Sequence, residues 1–306
     1  MAEQVRPTTP ARPWLARHRW RALRRFNQLG ILSMFVLPPL FGGSIVTGNL
    51  SSSMTLDILP LTDPLLLTQS MLAGNWPAAT GLVGAALVLV FYALLGGRVF
   101  CSWVCPVNLV TDFAAWLRRR LGIRASGRIS RDLRWWLLGL VLLLPVVTGV
   151  MVWEYVNPVS MLHRGLIFGF GWAWLILVAV FVYDLLIVPR GWCGHLCPVG
   201  ACYALIGAKA PVHIAAPARA RCDDCMDCFT VCPEPQVIKP ALKATAGRGP
   251  VIDSIDCTKC GRCIEVCDRE VFGLALGRID KDGYLKHQRA GRASTAAERP
   301  DAMQVN

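Results

Sequence analysis

Two runs of cysteines near the C-terminal end of the chain constrain its fold more than any other feature. Both runs have the spacing C-x₂-C-x₂-C-x₃-C, and the first is followed by Pro233. Three thiolates on one short loop can bind three irons of a [4Fe–4S] cube, whereas the fourth cysteine of each run binds the other cube. The spacing therefore predicts an α+β bacterial ferredoxin-like domain over residues 208–285 that holds two [4Fe–4S] clusters. The predicted ligands are, for the first cluster, Cys222, Cys225, Cys228 and Cys267, and for the second, Cys257, Cys260, Cys263 and Cys232.

A pair of zinc sites is the alternative for repeated C-x₂-C spacing. Zinc takes four ligands from two such pairs, which leaves the third and fourth cysteine of each run without a role. Cys267 is followed by Asp268 rather than by proline, and 24 residues separate Cys232 from Cys257. Neither departure removes a ligand, so two iron–sulfur clusters remain the prediction.

Hydropathy organises the rest of the chain. Four stretches are apolar and, at about 20 residues each, long enough for a helix to cross the hydrocarbon core; they lie near residues 29–47, 78–97, 135–153 and 168–188. With 54% apolar and 17% charged residues, the chain has the composition of a membrane protein. We therefore predict a membrane all-α four-helix bundle over residues 29–207. The apolar segment 56–72 is interrupted by Asp57, Pro60, Asp63 and Pro64 and is predicted to lie at the membrane interface.

Loop charges predict the orientation of this bundle. Residues 1–28 and 98–134 hold seven and eight arginines, whereas 49–77 has no Lys or Arg and 154–167 has one. Positively charged loops stay in the cytoplasm, so both termini are predicted to be cytoplasmic, in a bacterial inner membrane crossed four times. Because the arginines flank apolar runs, this interpretation accounts for the net charge of +12 without nucleic acid as a partner. Residues 1–28 are predicted to be a mobile basic arm, and 286–306 a disordered tail.

The helical region contains an internal repeat. The pattern R-x₂-C-x₃-C-P-V begins at Arg98, after the second apolar stretch, and again at Arg190, after the fourth. A parallel repeat places both copies at one membrane face, where four cysteines are candidates for a catalytic redox or metal-binding role: Cys101, Cys105, Cys193 and Cys197. Arg98 and Arg190 are expected to lower the pKa of these thiols. The alternatives are cysteines that only pack at helix ends and arginines that are only positive-inside flanks; Cys202 is interpreted as a packing residue.

These features together resemble the NapH family, the membrane quinol-dehydrogenase component of periplasmic nitrate reductase systems. The likeness covers roughly residues 20–280. It rests on the four apolar stretches, the two C-x₃-C-P motifs and the tail sequence from Cys225 to Val237, C-M-D-C-F-T-V-C-P-E-P-Q-V. The C-x₃-C-P motif alone also occurs in wider relatives, the nitrous-oxide-reduction regulator NosR and the cytochrome oxidase assembly factor CcoG.

The resemblance implies a membrane electron-transfer subunit that oxidises quinol and passes electrons through its clusters toward a periplasmic nitrate reductase. It implies two partners, a periplasmic ferredoxin-type subunit and a membrane-anchored c-type cytochrome. Candidates for receiving quinol protons are polar groups near the predicted membrane surfaces: Glu154, Tyr155, His163, Arg164, Tyr183 and Asp184. The duplicated cysteine pairs support an alternative, a copper reductase or an assembly factor for a respiratory enzyme. A third possibility is a scaffold in which the clusters are only structural.

Overall fold

The fold is taken from a computed structural model, which describes residues 14–41, 46–55, 58–123, 127, 129–169, 171, 173–243 and 250–277. The chain divides into two compact units. The larger unit is Leu23–Ala210, and the smaller unit combines Met1–Ala22 with Pro211–Asn306. The predicted tail, 286–306, and the first part of the predicted arm lie outside the described residues.

The first helix, α1 (Trp14–Phe41), corrects the prediction for the N-terminal arm. Residues 14–28, predicted to be irregular, are helical and continue into the first apolar stretch. The physical reason is the position of the prolines. Pro13 is the last one before residue 28, and the sequence that follows is rich in alanine, leucine and arginine, which favour helix.

A small antiparallel sheet follows α1 in the chain, so the all-α prediction for this region is wrong. Its strands, in spatial order, are β1 (Val46–Gly48), β2 (Ser52–Thr55) and β3 (Leu59–Thr62). The β1–β2 turn has a local cause: Gly48 has φ +101°, and the Asn49 side chain accepts the backbone N–H groups of Ser51 and Ser52 at 2.8 Å. Hydropathy alone does not register such a turn.

The rest of the larger unit is helical. Its helices are α2 (Pro64–Leu72), α3 (Ala79–Leu95), α4 (Val99–Trp103), α5 (Val107–Arg120), α6 (Leu133–Thr148), α7 (Pro158–Phe168), α8 (Ala173–Val182) and α9 (Pro198–Ile206). Three of them, α2, α7 and α9, begin with a proline that follows a side chain capping the helix. Proline suits the first helical position because the missing N–H has no partner there. Two π-helical turns, Tyr183–Ile187 and Trp192–Leu196, lie between α8 and α9.

These helices coincide only in part with the predicted spans. The second and third stretches correspond to α3 and α6, whereas the fourth, 168–188, is divided between the end of α7, α8 and a π-helical turn. The segment 56–72 contains β3 and α2, and α2 buries Leu65 and Gln69. In the described part of the chain, none of the helices combines the length and the apolarity of a membrane span.

Two glycines bring the start of α4 against the end of α9. A Cβ placed on Gly97 would lie 1.5 Å from the carbonyl oxygen of Tyr203, and one on Gly207 would lie 1.8 Å from the backbone nitrogen of Gly97. No side chain fits between these backbones. Gly97 directly precedes the first R-x₂-C-x₃-C-P-V motif, and α9 begins at Pro198 of the second motif. The contact therefore fixes the first motif relative to α9.

The smaller unit has the α+β fold predicted for the ferredoxin-like domain. Its elements after Pro211 are β4 (Val212–Ala215), α10 (Asp227–Val231), α11 (Ile238–Lys243), β5 (Val251–Ile252), α12 (Arg262–Val266) and β6 (Gly273–Leu276). The strands form an antiparallel sheet in the order β5-β4-β6, and Ile214, Ile238 and Phe272 are part of the core. Trp20 of α1 packs against this core: a Cβ on Gly261 would lie 2.7 Å from Trp20 Cδ2.

Candidate iron–sulfur sites

The first four-cysteine pocket of the smaller unit combines both cysteine runs. It is lined by the thiols of Cys222, Cys225, Cys228 and Cys267. The first three come from one loop, in which Asp224 and Met226 have positive φ of 54° and 64°. This left-handed backbone folds the loop back so that α10 begins directly after it. The fourth thiol comes from the end of the other run.

The second pocket has the reciprocal composition. It is lined by Cys232, Cys257, Cys260 and Cys263. Lys259 and Gly261, which occupy the same places in this run as Asp224 and Met226 in the first, also have positive φ, of 49° and 72°. Each short helix ends at the residue before the fourth cysteine of its run. The structure thus brings together, in each pocket, the four cysteines that the spacing assigned to one cluster.

The chemistry of both pockets fits a [4Fe–4S] cube. No group of three or more His, Cys, Asp or Glu side chains in the described ranges is arranged to hold a metal ion, but a cube spreads its four thiolates over four irons. Burial raises the pKa of Cys228 to about 11 and that of Cys263 well above its ordinary value. Because a coordinating thiol is deprotonated by the metal itself, these thiols become anionic when they bind iron.

A third four-cysteine pocket lies in the larger unit. The two C-x₃-C-P motifs meet there, and the pocket is lined by Cys101, Cys105, Cys193 and Cys197. Cys101 lies in α4, and Cys193 lies in the π-helical turn before α9. Cys197 caps α9, and its sulfur accepts the Gly200 backbone N–H at 3.4 Å. Cys202, one turn further along α9, is not among the lining residues.

The two repeat arginines have different roles. Arg98 is only 2% exposed and donates from Nη2 to the carbonyl oxygen of Cys193 at 3.0 Å, which joins the two motifs. Arg190 pairs with Asp112 at 3.4 Å, and Arg25 binds the same carboxylate. Burial raises the pKa of Cys197 to about 12, and Arg98 opposes this only weakly. Arg98 thus lowers the pKa of Cys197, as expected, but burial has the larger effect, so the thiolate is not favoured.

The predicted candidates for receiving quinol protons do not form one group. Arg164 lies 3.8 Å from Glu154, and Tyr155 is exposed. His163 is buried with its ring edge-on to Phe35. Asp184 accepts the backbone N–H of Trp192 at 2.9 Å, in the loop that carries the second motif, and Tyr183 begins the π-helical turn that contains Asp184.

Asp63, which is half-buried, and Tyr203, which is buried, form a polar pair that the sequence did not suggest. The Tyr203 hydroxyl donates to Asp63 Oδ1 at 3.4 Å, and burial raises the pKa of this carboxyl to about 6. The ring of Tyr203 stacks on Phe100, with centroids 4.7 Å apart, and Phe100 lines the third pocket. The only signal in the sequence was Asp63-Pro64, which marks a helix start and does not reveal a partner 140 residues away.

Family models for iron–sulfur domains match both units. The model described as a 4Fe-4S binding domain matches residues 77–124 and 170–214, one segment around each C-x₃-C-P motif. The model described as a 4Fe-4S dicluster domain matches residues 221–271, which contain both long cysteine runs. The chain therefore carries 4Fe-4S binding domains in its larger and its smaller unit.

Curated relatives match over most of the chain. The ferredoxin-type protein NapH of Haemophilus influenzae is 50% identical over 88% of this chain and 94% of its own length, and that of Escherichia coli is 48% identical over 85% and 91%. The methylamine utilization ferredoxin-type protein MauN of Paracoccus denitrificans is 51% identical over 86% and 93%. No solved structure matches. The expected relationship is confirmed, and its range is wider than predicted: the chain belongs to the family of NapH and MauN ferredoxin-type iron–sulfur proteins.

Proposed function

We propose that this chain is a membrane electron-transfer subunit that takes electrons from quinol and passes them through two [4Fe–4S] clusters in its smaller unit. The observation that carries the proposal is the pair of reciprocal pockets, each lined by four cysteines from both runs. Clusters of this kind transfer one electron at a time. The polypeptide holds them and provides the groups that receive protons.

The apolar surface of the larger unit supports a membrane location. The helix α3 has 17 residues and no charged side chain, and Val90 and Leu94 are each 55% exposed. On α6, Val147 is 76% exposed. Helices that are apolar on the outside need a covering surface, and a bilayer provides one for helices of about 17 to 25 residues. Together with the arginine-rich loops, this surface supports four crossings with both termini in the cytoplasm.

The Asp63–Tyr203 pair supports a quinol reaction. Oxidation of one quinol gives one quinone, two electrons and two protons, so a site needs a nearby base as well as an electron acceptor. A half-buried carboxylate with a pKa of about 6 is suited to take a proton near neutral pH. Through Tyr203 and Phe100, this base is connected by direct contacts to the third pocket.

The choice of partners is part of the proposal. NapH and MauN relatives are about equally similar to this chain, so the final acceptor lies in a nitrate reductase system or in methylamine utilization. We favour the former, with a periplasmic ferredoxin-type subunit and a membrane-anchored c-type cytochrome as partners. Deletion strains complemented with this chain distinguish the two: restored periplasmic nitrate reduction supports our choice, and restored growth on methylamine alone contradicts it.

The quinol reaction is tested with the full chain in liposomes under anaerobic conditions. We expect a reduced quinol analogue to produce the EPR signals of reduced [4Fe–4S] clusters, alone or when the proposed cytochrome partner is added. Dithionite reduction of the same sample measures how much cluster is present. Clusters that respond to dithionite but never to quinol, with or without partners, would contradict the proposal.

A further inference from the structure

We propose that Cys101, Cys105, Cys193 and Cys197 together hold a third [4Fe–4S] cluster, at a site that neither half of the repeat can form alone. All four thiols line one pocket. Its other lining residues are mainly apolar, among them Phe100, Trp153 and Trp192. The inference concerns a metal site and does not depend on the quinol reaction.

The number of donors requires both halves. The 4Fe-4S binding domain model matches 77–124, which contains only two cysteines, and 170–214, which contains three. The additional cysteine of the second segment, Cys202, does not line the pocket. A cube bound by cysteine takes four thiolates. Only the combination of the two segments supplies them.

The backbone provides the same hydrogen bonds in both motifs. The sulfur of Cys197 faces the N–H groups of Val199 and Gly200 at the start of α9, and that of Cys105 faces those of Val107 and Asn108 at the start of α5. These helices have nine and 14 residues. N–H groups at a helix start stabilise negative charge, and a cube with four thiolates remains anionic. The buried guanidinium of Arg98 adds a positive charge between the motifs.

One further feature suits a bound group. Trp153 lines the pocket and is only 7% exposed, yet its indole N–H has no hydrogen-bond acceptor among the described residues. A sulfur-containing cluster would provide an acceptor for the indole N–H.

A redox-active dithiol is a weaker explanation of this pocket. Thiol exchange requires a thiolate that a partner can reach, and none of these four cysteines is exposed. A resident cluster does not require such access, because bound iron deprotonates its own ligands. A soft ion such as copper(I) also binds thiolates, so the experiment must identify the metal.

The test counts iron, acid-labile sulfide and copper in the full chain purified without oxygen. We expect about 12 iron and 12 sulfide per chain, since three cubes contribute about four each. About eight iron would overturn the proposal, and so would copper bound in proportion to the four cysteines. This count on the unaltered protein decides the matter independently of any variant.

Variants show whether the site is shared. C101S and C193S should each lose about four iron, and the double variant C101S/C193S should lose no more than either one, since all remove the same cube. C202S is the control, because Cys202 lies in α9, the helix that Cys197 caps, but outside the pocket. This variant should keep the full iron count. The tail clusters report on folding, because their EPR signals persist in a folded variant. Additive losses, or an unchanged count in C193S, would contradict a joint site.

Discussion

A single carboxylate oxygen, Asp63 Oδ1, accepts two hydrogen bonds that have different structural roles. The Leu65 N–H at 3.1 Å caps α2, and the Tyr203 hydroxyl at 3.4 Å connects α2 to α9. Burial outweighs both bonds and raises the pKa of the carboxyl to about 6. Asparagine also caps helices well. Replacing Asp63 with asparagine therefore separates the capping role from the proton-accepting role.

We expect D63N to keep the fold and the clusters but to slow quinol-dependent cluster reduction by about 100-fold or more, since general bases contribute about 10²–10⁴ in rate. In the unaltered protein, this rate should fall as the pH drops below about 6, where Asp63 becomes protonated. Stopped-flow absorbance in liposomes measures both effects. The control is D132N, which changes an exposed aspartate at the start of α6.

The sign of the stability effect is fixed by the same pKa. A carboxyl whose pKa is higher in the folded state stabilises the protein when protonated, so this contribution is present at low pH and is lost as the pH rises through about 6. The stability of D63N should not show this dependence on pH, because asparagine does not titrate.

Two results would contradict a role for Asp63 in proton transfer. One is a wild-type rate of quinol-dependent cluster reduction that stays constant as the pH falls through about 6, and the other is a D63N rate equal to that of D132N.

At the scale of elements, the contact between α4 and α9 is possible because Gly97 and Gly207 have no side chains. Their backbones lie so close that a single methyl group has no room. The duplicated motif predicted that both cysteine pairs would lie at one end of the helices. It did not predict which elements touch, because a glycine needed for close approach looks in the sequence like any other loop glycine.

We expect G97A to lower the free energy of unfolding by about 1–3 kcal/mol or more, the usual effect of overpacking. G139A is the matched control, because Gly139 lies in α6 and has no atoms within 4 Å of the added Cβ. This variant should be neutral or stabilised by up to about 1 kcal/mol. Thermal unfolding in detergent compares the two. Equal unfolding midpoints for G97A and G139A would contradict the prediction, because they would show that the close contact between α4 and α9 does not contribute to stability.

The elements that the sequence predicted correctly are those with local causes. The cysteine spacing is a property of single loops, and the α+β fold of the smaller unit followed from it. The sheet β1–β3 was missed because its turn depends on Gly48 and Asn49 rather than on hydropathy. The helical structure of residues 14–28 was not predicted, although no proline follows Pro13 in that segment.

At the scale of the whole molecule, charge and apolar surface are separated. The loop that follows α5 begins after three consecutive arginines, Arg118–Arg120, whereas the loop between α2 and α3 contains no basic residue. Of the three helices between these loops, α3 exposes apolar side chains along its length. This distribution is the one expected when the two loops lie on opposite sides of a bilayer.

Fusions to alkaline phosphatase test this orientation, because the enzyme needs disulfides that form outside the cytoplasm. A fusion after Asn75 should be active, and one after Leu121 should be inactive. Green fluorescent protein at the same positions serves as the matched control and should give the opposite pattern. The reverse result at both positions, or release of the full chain from membranes by alkaline carbonate, would contradict the proposed topology.

The packing of Trp20 on Gly261 has a consequence for how the iron–sulfur domain is made. Gly261 lines the second cluster pocket, and the ring that covers it comes from the opposite end of the chain. A fragment beginning at Pro211 would retain all eight tail cysteines but would leave this loop open to water and oxygen. The domain is therefore complete only when its second cysteine loop packs against Trp20, a residue that precedes the whole larger unit in the chain.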